Sequence, residues 1–350
     1  MVAPVAIGRR EVGPGQPCFI IAEAGVNHNG DLEVAKRLVE AAARAGADAV
    51  KFQSFKAERV VSALAPKADY QLRATDPAES QLGMLRRLEL SPDAQRELQA
   101  HCEKEGVLFL STPFDEESAD LLDGLGVRAF KIGSGEITNW PFLEAVGRKG
   151  KPVILSTGMS YLGEVDEAVR VLRHAGCEQV ILLHCVSEYP AHPADANLRT
   201  MRTLEAAFQV PVGFSDHTRG VEVALAAVAL GACVIEKHFT LDHDLPGPDH
   251  RASLDPEELR GMIAAVRTVE RALGDGVKCP AQAELKNRVA ARRSLAVVKD
   301  IPEGAVLRSD MLEALRPATG IAPTLVGFVV GRKARRSLRA GQLLDWGDLD

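Results

Sequence analysis

Between about residue 18 and residue 275 the chain alternates two hydrophobic rhythms. Short apolar runs of strand length recur at 18–23, 47–53, 107–112, 128–132, 152–156, 179–184, 211–215 and 233–238. Between them, stretches such as 32–45, 92–105, 165–175 and 221–230 space their apolar residues three and four apart, which gives a helix one buried face. Asp31 and Ser91 stand where an N-cap side chain can accept from the first free amides. Gly46, Gly106, Gly176 and Gly231 stand where helices end in a left-handed turn. Eight strand–helix units predict an α/β fold, a (β/α)8 TIM barrel. A doubly wound open sheet is the alternative, but the Gly-rich phosphate turn expected after its first strand is missing.

Three segments fall outside this beat. Gly8, Gly13, Pro14 and Gly15 mark an N-terminal hairpin closing the barrel's bottom. The long mixed stretch 54–90 falls on the C-terminal face, as a lid or substrate loop or as a plain surface insertion. After Gly274 the pattern changes to short strands with a Gly-Gln corner at Gly341. The expected domains are a catalytic barrel over 1–275, a linker over 276–291 and a small β-rich domain over 292–350. That last domain carries ten basic and seven acidic residues in a chain whose net charge is −6, so it would suit docking onto an anionic surface or substrate site.

Composition narrows the class. Over 350 residues, 46% are apolar and 26% charged, as in ordinary globular proteins. The acidic balance argues against a nucleic-acid partner. The six cysteines stand singly with no CxxC pair, which points to free thiols in a reducing cytosol. Neither a signal-peptide run nor a bilayer-spanning run is present, so the expected location is the cytoplasm, with no membrane partner.

Parity along the strands supplies the chemistry. Side chains two apart share a face. Lys51 and Gln53 therefore share one face of the second strand while Val50 and Phe52 pack on helices; in the fourth, Phe130 and Ile132 point outward and Lys131 inward. Glu23, Thr112, Ser156, Ser215, His217, Glu236 and His238 likewise fall at or just past strand C-terminal ends, where barrel enzymes place their chemistry. One inward lysine is easily an ion pair in a core. Two lysines, two carboxylates, two histidines and several hydroxyls in one mouth are costly to desolvate without a ligand.

Lys51 and Lys131 suit a phosphate and a carboxylate on one small ligand, with Ser134, Ser156, Thr157 and Ser215 completing an anion cradle. A lysine Schiff base, as in an aldolase or lyase, is the competing use. A lone strand histidine is usually a hydrogen-bonded core residue. His217 and His238 end neighbouring strands about 4.8 Å apart, which suits an open divalent-metal site. Structural zinc lacks further nitrogen or thiolate ligands. His184 and Cys185, ending the sixth strand, read as barrel lining.

At these residues the chain resembles the N-acetylneuraminate (sialic acid) synthase family, with its legionaminate and pseudaminate relatives. The motifs are AEAGVNHNGD at 22–31, AVKFQ at 49–53, LSTPFD at 110–115, FKIGSGE at 130–136 and LSTGM at 155–159. They continue with LHCVSEYP at 183–190, GFSDHT at 213–218, VIEKHFTLDHDLPGPDH at 234–250, ARRSL at 291–295 and LRPATGI at 315–321. The resemblance implies a barrel followed by an antifreeze-like SAF domain that reaches over the partner's active site in a domain-swapped homodimer. It makes His217 and His238 the ligands of a divalent metal, Mn²⁺ first, with Mg²⁺ or Co²⁺ as alternatives. Lys51, Thr112, Lys131, Ser134, Ser156 and Ser215 would hold phosphoenolpyruvate, and Glu23 would stand beside the reacting carbons. Gln53, Tyr189, Asp249 and Arg316 would contact the sugar. The chain departs from the family's RPGxGI pattern at 316–321 and has His243 where an arginine is common, which bears on sugar preference.

The implied reaction joins phosphoenolpyruvate to an open-chain N-acetylated amino sugar, N-acetylmannosamine first, giving a nonulosonic acid and phosphate through C–O cleavage. The catalytic set is Glu23, Lys51, Lys131, His217 and His238. The nearest alternative is N,N'-diacetyllegionaminate synthesis from 2,4-diacetamido-2,4,6-trideoxymannose, with Tyr70, Gln71 and Ser80 of the 54–90 loop deciding the acceptor. A Schiff-base lyase and a non-catalytic sugar-binding protein are further alternatives.

Overall fold

The computed structural model describes residues 2–350, apart from the side chains of Tyr70 and Arg73, and in it the repeat closes on itself. Strands β1 (Val5–Ile7) and β2 (Arg10–Val12) form an antiparallel hairpin. Eight parallel strands follow: β3 (Phe19–Gly25), β4 (Ala49–Ser54), β5 (Leu108–Pro113), β6 (Phe130–Ile132), β7 (Val153–Ser156), β8 (Val180–Cys185), β9 (Val212–Asp216) and β10 (Val234–His238). Their order is β5-β4-β3-β10-β9-β8-β7-β6, so the first and eighth barrel strands pair, Glu23 beside His238. β5 and β6 lie side by side to close the barrel without ladder bonds among the described residues.

The helices are α1 (Leu32–Ala45), α2 (Ala57–Val60), α3 (Asp69–Ala74), α4 (Gln81–Leu88), α5 (Pro92–Glu105), α6 (Glu116–Leu125), α7 (Trp140–Gly147), α8 (Leu162–His174), α9 (Thr200–Phe208), α10 (Glu222–Ala229) and α11 (Pro256–Leu273). Local signals act as expected: Asp31 accepts from the amides of Glu33 and Val34, and Gly46, at φ 89°, ends α1 in the left-handed region. The expected strand and helix limits shift by up to three residues, because apolar content does not say which carbonyls pair.

Parity sorts the core into two sets. Val50, Phe52, Phe130, Ile132, Leu182, Phe214 and Ile235 point outward against the helices. Phe19, Ile21, Ala49, Leu110, Ile154, Leu183 and Val234 fill the interior, where Val5, Ile7 and Val12 of the hairpin join them. The hairpin thus plugs the bottom with apolar side chains, and the polar strand ends form the floor of the opposite mouth. One expectation fails: His184 points outward, its Nε2 2.7 Å from the Ala196 carbonyl oxygen. Leu183 and Cys185 take the inward positions, so alternation along β8 leaves His184 no place in the lining.

The 54–90 connection is built from α2, α3 and α4 over a small apolar cluster of Val26, Phe55, Met84 and Leu88. Gln71 caps α3, its Oε1 accepting from the Ala68 amide at 3.0 Å, and Ser80 caps α4. Tyr70, expected in acceptor choice, has its side chain outside the described residues.

The chain divides into two compact units, the first ending at Gly274 and the second spanning Asp275–Asp350. The second unit opens with an exposed helix, α12 (Glu284–Ala291), within the expected linker. It continues with an antiparallel pair, β11 (Ser294–Val297) and β12 (Leu312–Leu315), and a short α13 (Val326–Val329) around a core including Leu295, Leu307 and Leu344. All six cysteines are free thiols. No helix among the described residues is long and apolar enough to cross a membrane.

Candidate active site

A cavity of about 430 Å³ opens at the strand C-terminal ends, and its lining gathers residues from all eight barrel strands or the loops that follow them. Glu23, Lys51, Gln53, Thr112, Lys131, Ser134, Ser156, Tyr189, Ser215, His217, His238 and Asp249 all border it. Fifteen of its thirty lining residues are apolar or glycine, several from the 54–90 segment, including Val60, Met84 and Leu85. Arg316 belongs to the second unit, immediately after β12.

Four charged groups form the floor. Glu23 Oε2 lies 2.5 Å from Lys51 Nζ, and Glu236 reaches Lys51 at 3.8 Å and Lys131 at 3.6 Å. Lys51 Nζ also donates to Thr112 Oγ1 at 3.1 Å, and Lys131 Nζ to Ser156 Oγ at 2.8 Å, so each ammonium is aimed by the next strand's hydroxyl. Ser215 Oγ donates to Glu236 Oε1 at 2.9 Å. Burial pushes the Glu23 carboxyl above the ordinary carboxylate range, against the pull of Lys51. Burial acts the same way on Glu236, but Lys131, Lys51 and the Ser215 hydrogen bond outweigh it and hold that carboxyl low. For Lys51, burial is likewise outweighed, here by Glu23 and Glu236, and the ammonium is favoured. For Lys131 burial wins over Glu236, and its proton is held less tightly than usual. Burial also raises Asp249 to about 6.

Two glycines make room for this floor. Gly25 sits at φ 52°, just past an irregularity in the β3–β4 register, and a Cβ there would stand 3.0 Å from Glu23 Oε1. A Cβ on Gly158 would collide with Ser187 Oγ and stand 2.9 Å from Cys185 Sγ, on the hydroxyl-lined side of the cavity. The Gly158 amide donates to Ser134 Oγ at 2.9 Å.

The histidines stand together on the other side. Their ring centroids are 5.5 Å apart, and the Tyr189 ring packs 4.2 Å from that of His217. His217 Nδ1 donates to the Val186 carbonyl at 2.6 Å, which fixes the tautomer and leaves Nε2 with its lone pair. His238 Nδ1 is buried with no hydrogen-bond partner among the described residues and lies 3.9 Å from Asp249 Oδ2. Burial lowers both imidazoles, so both are neutral near pH 7. Two neutral imidazoles, one with an orphaned nitrogen, beside a carboxylate fit a borderline divalent cation.

Sequence alone assigns no role to several lining residues. Glu236, legible only as an inward residue of a strand end, touches both lysines. Cys185, read only as barrel lining, and Ser187 face the hydroxyl cradle. A separate triad, His243, Asp255 and Glu258, has ligand atoms within 4.8 Å of one another, but none of the three lines the cavity. Both carboxylates there already cap α11. A cleft of about 510 Å³ at the barrel's other end is bordered by Cys18, Glu205 and Glu270. Glu270 is engaged by the Cys18 amide and Arg267.

Comparison with known proteins decides the family. Residues 38–278 match the NeuB family and residues 292–350 match the SAF domain. The chain belongs to the NeuB family. It is 51% identical to the N,N'-diacetyllegionaminic acid synthase of Campylobacter jejuni, over 93% of this chain and 98% of that protein. The enzyme of the same name from Legionella pneumophila is 47% identical, over 98% of each. Among solved structures, N-acetylneuraminic acid synthetase of Leptospira borgpetersenii superposes with a TM-score of 0.73 at 36% identity, covering 82% of this chain and 95% of that one. In this NeuB-family chain, then, the SAF match lies within the second compact unit and the cavity within the first.

Proposed function

We propose that this NeuB-family chain is a transferase that condenses phosphoenolpyruvate with an open-chain acetamido sugar, releasing phosphate and a nonulosonic acid. The acceptor we assign is 2,4-diacetamido-2,4,6-trideoxymannose, giving N,N'-diacetyllegionaminate. N-acetylmannosamine, the acceptor expected first from the sequence, takes second place, because the 51% and 47% identical relatives are both named as legionaminic acid synthases. The observation that carries the reaction class is the convergence of two buried lysines and two neutral histidines on one cavity. Residues 1–275 would be the catalytic domain, 276–291 the linker and 292–350 the SAF domain of a domain-swapped homodimer working in the cytoplasm.

Lys51 and Lys131 would bind the two anionic groups of phosphoenolpyruvate, with Thr112, Ser134, Ser156 and Ser215 donating to the remaining oxygens. His217 and His238 would hold a divalent ion, Mn²⁺ in our reading, which supplies Lewis-acid polarisation of the acceptor's aldehyde oxygen. With both substrates held, the methylene carbon of phosphoenolpyruvate forms the new C–C bond to the aldehyde carbon, and positive character develops at its C2. Glu23 orients a water toward that carbon and accepts its proton. C–O cleavage then expels phosphate with the bonding pair as the C2 hydroxyl gives up its proton to leave the ketone, and the two protons of the added water end on the aldehyde-derived hydroxyl and on the phosphate. Gln53, Tyr189, Asp249 and the partner's copy of the Arg316 position would hold the sugar.

The test is phosphate release. Lys131→Ala and His217→Ala are each expected to slow turnover on the order of 100-fold or more, the effect of removing one aligned electrostatic group. Near-normal turnover in either refutes that residue's role. Borohydride with pyruvate is expected to trap no adduct; a lysine adduct would favour the lyase reading.

A further inference from the structure

Behind the cavity, on the faces of β9 and β10 turned toward the helices, lies a buried ion pair that no step above uses. Asp216 and Lys237 are fully buried, are ladder partners and do not line the cavity. Lys237 Nζ donates to Asp216 Oδ2 at 2.8 Å and to the Thr218 carbonyl at 2.5 Å. Asp216 Oδ1 accepts from the Thr218 amide at 2.9 Å and from its hydroxyl at 2.7 Å.

Chain order gives this network its meaning. The two bonds from Thr218 back to Asp216 close an Asx-type turn whose middle residue is His217. The lysine that ties the turn to β10 is the residue before His238. One set of hydrogen bonds therefore restrains the backbone on both sides of one imidazole and immediately before the other. An apolar pair of similar volume would pack between strand and helix without the desolvation cost of two buried ions, but it would impose no direction.

We propose that Asp216, Thr218 and Lys237 are positioning residues that set the separation and aim of His217 and His238 for a divalent ion. The inference rests on the reading of the two histidines as the metal pair.

The experiment uses the full-length, metal-free protein. Mn²⁺ binding is measured by calorimetry, alongside the thermal midpoint and phosphoenolpyruvate binding without metal. The double variant Asp216→Leu/Lys237→Met removes both buried charges. It also leaves the buried Thr218 amide, hydroxyl and carbonyl without these partners, so the thermal midpoint is expected to drop; the folded protein is expected to keep its phosphoenolpyruvate binding, while Mn²⁺ affinity falls about 10–100-fold, the usual effect of losing groups that orient metal ligands. Wild-type Mn²⁺ affinity in that variant overturns the inference and leaves the metal pair standing. A wild-type protein that binds no Mn²⁺ overturns the metal pair and the inference with it. Should the double variant not fold, Asp216→Asn, equal in size and still able to accept from Thr218, decides. About tenfold weaker Mn²⁺ binding in folded protein supports the positioning role, and unchanged binding overturns it.

Discussion

Glu23 and Glu236 share Lys51, yet burial and partners push their proton affinities in opposite directions. Glu236 lies within 4 Å of both ammoniums and accepts from Ser215, so it stays ionised. Glu23 pairs with Lys51 alone, and burial dominates it. It is the better-placed base, since its raised pKa brings proton transfer nearer to neutral pH. Because a base acts only when ionised, kcat/KM should fall as pH drops through the raised Glu23 pKa, with the acid limb above the ordinary carboxylate range. Glu23→Gln is expected to remove that limb and lower kcat/KM on the order of 100-fold. A pH–rate profile with the limb unchanged in the variant contradicts this role. Parity made the inward face of Glu236 legible, as it did for Lys131. What it left out was distance: the contact of Glu236 with both lysines arises because β4, β6 and β10 face one another across a closed barrel.

At the scale of elements, the mouth is framed by the turn after β3 and the long connection after β10. Asn27 Nδ2 donates to the Phe239 carbonyl and to Ser253 Oγ, both at 2.9 Å, and Asn29 Nδ2 contacts His250 Nε2 at 3.3 Å. His250 Nδ1 meets Thr240 Oγ1 at 2.7 Å, and His28 Nδ1 accepts from the Gly30 amide at 2.9 Å. Burial lowers both histidines to about 4. In the unfolded chain each takes a proton below about 6.5. These pairings thus add no pH dependence above that value, and stability is lost as pH falls from there toward 4, by about 1.4 kcal/mol per pH unit for each histidine. His250→Gln should therefore destabilise the protein more at pH 7.5 than at pH 5, as read from urea unfolding. An equal difference at both pH values contradicts this account. The motif at 22–31 was legible as a signature. The purpose of its Asn-His-Asn centre was not, because its partners lie more than two hundred residues along the chain.

For the whole molecule, the SAF domain raises the question of which barrel it serves. The sequence showed its limits, its RPATGI motif and its positive balance, but two copies of one chain are identical in sequence, so no pattern says whether Arg316 serves its own barrel or its partner's. The swapped homodimer proposed above would have a direct consequence. Lys131→Ala and Arg316→Ala should each be nearly inactive alone. Co-expressed, they should recover on the order of a quarter of wild-type activity, because random pairing leaves one intact site in each mixed dimer. No recovery in mixed dimers contradicts a shared site. His243 was expected to bear on sugar preference, and the structure gives it no place at the cavity. It contacts Asp255 and Glu258 at the start of α11, outside the cavity lining.

The central claim is that this cavity joins phosphoenolpyruvate to a diacetamido sugar, and product analysis tests it most directly. Purified protein is given phosphoenolpyruvate, Mn²⁺ and an equimolar mixture of 2,4-diacetamido-2,4,6-trideoxymannose and N-acetylmannosamine, and products are resolved by mass spectrometry while phosphate is followed. The account predicts one phosphate per product and mainly the diacetamido nonulosonic acid, with both lost on chelation and restored by Mn²⁺. A preponderance of N-acetylneuraminate would contradict the acceptor assignment, and absence of phosphate release with either sugar would contradict the reaction itself.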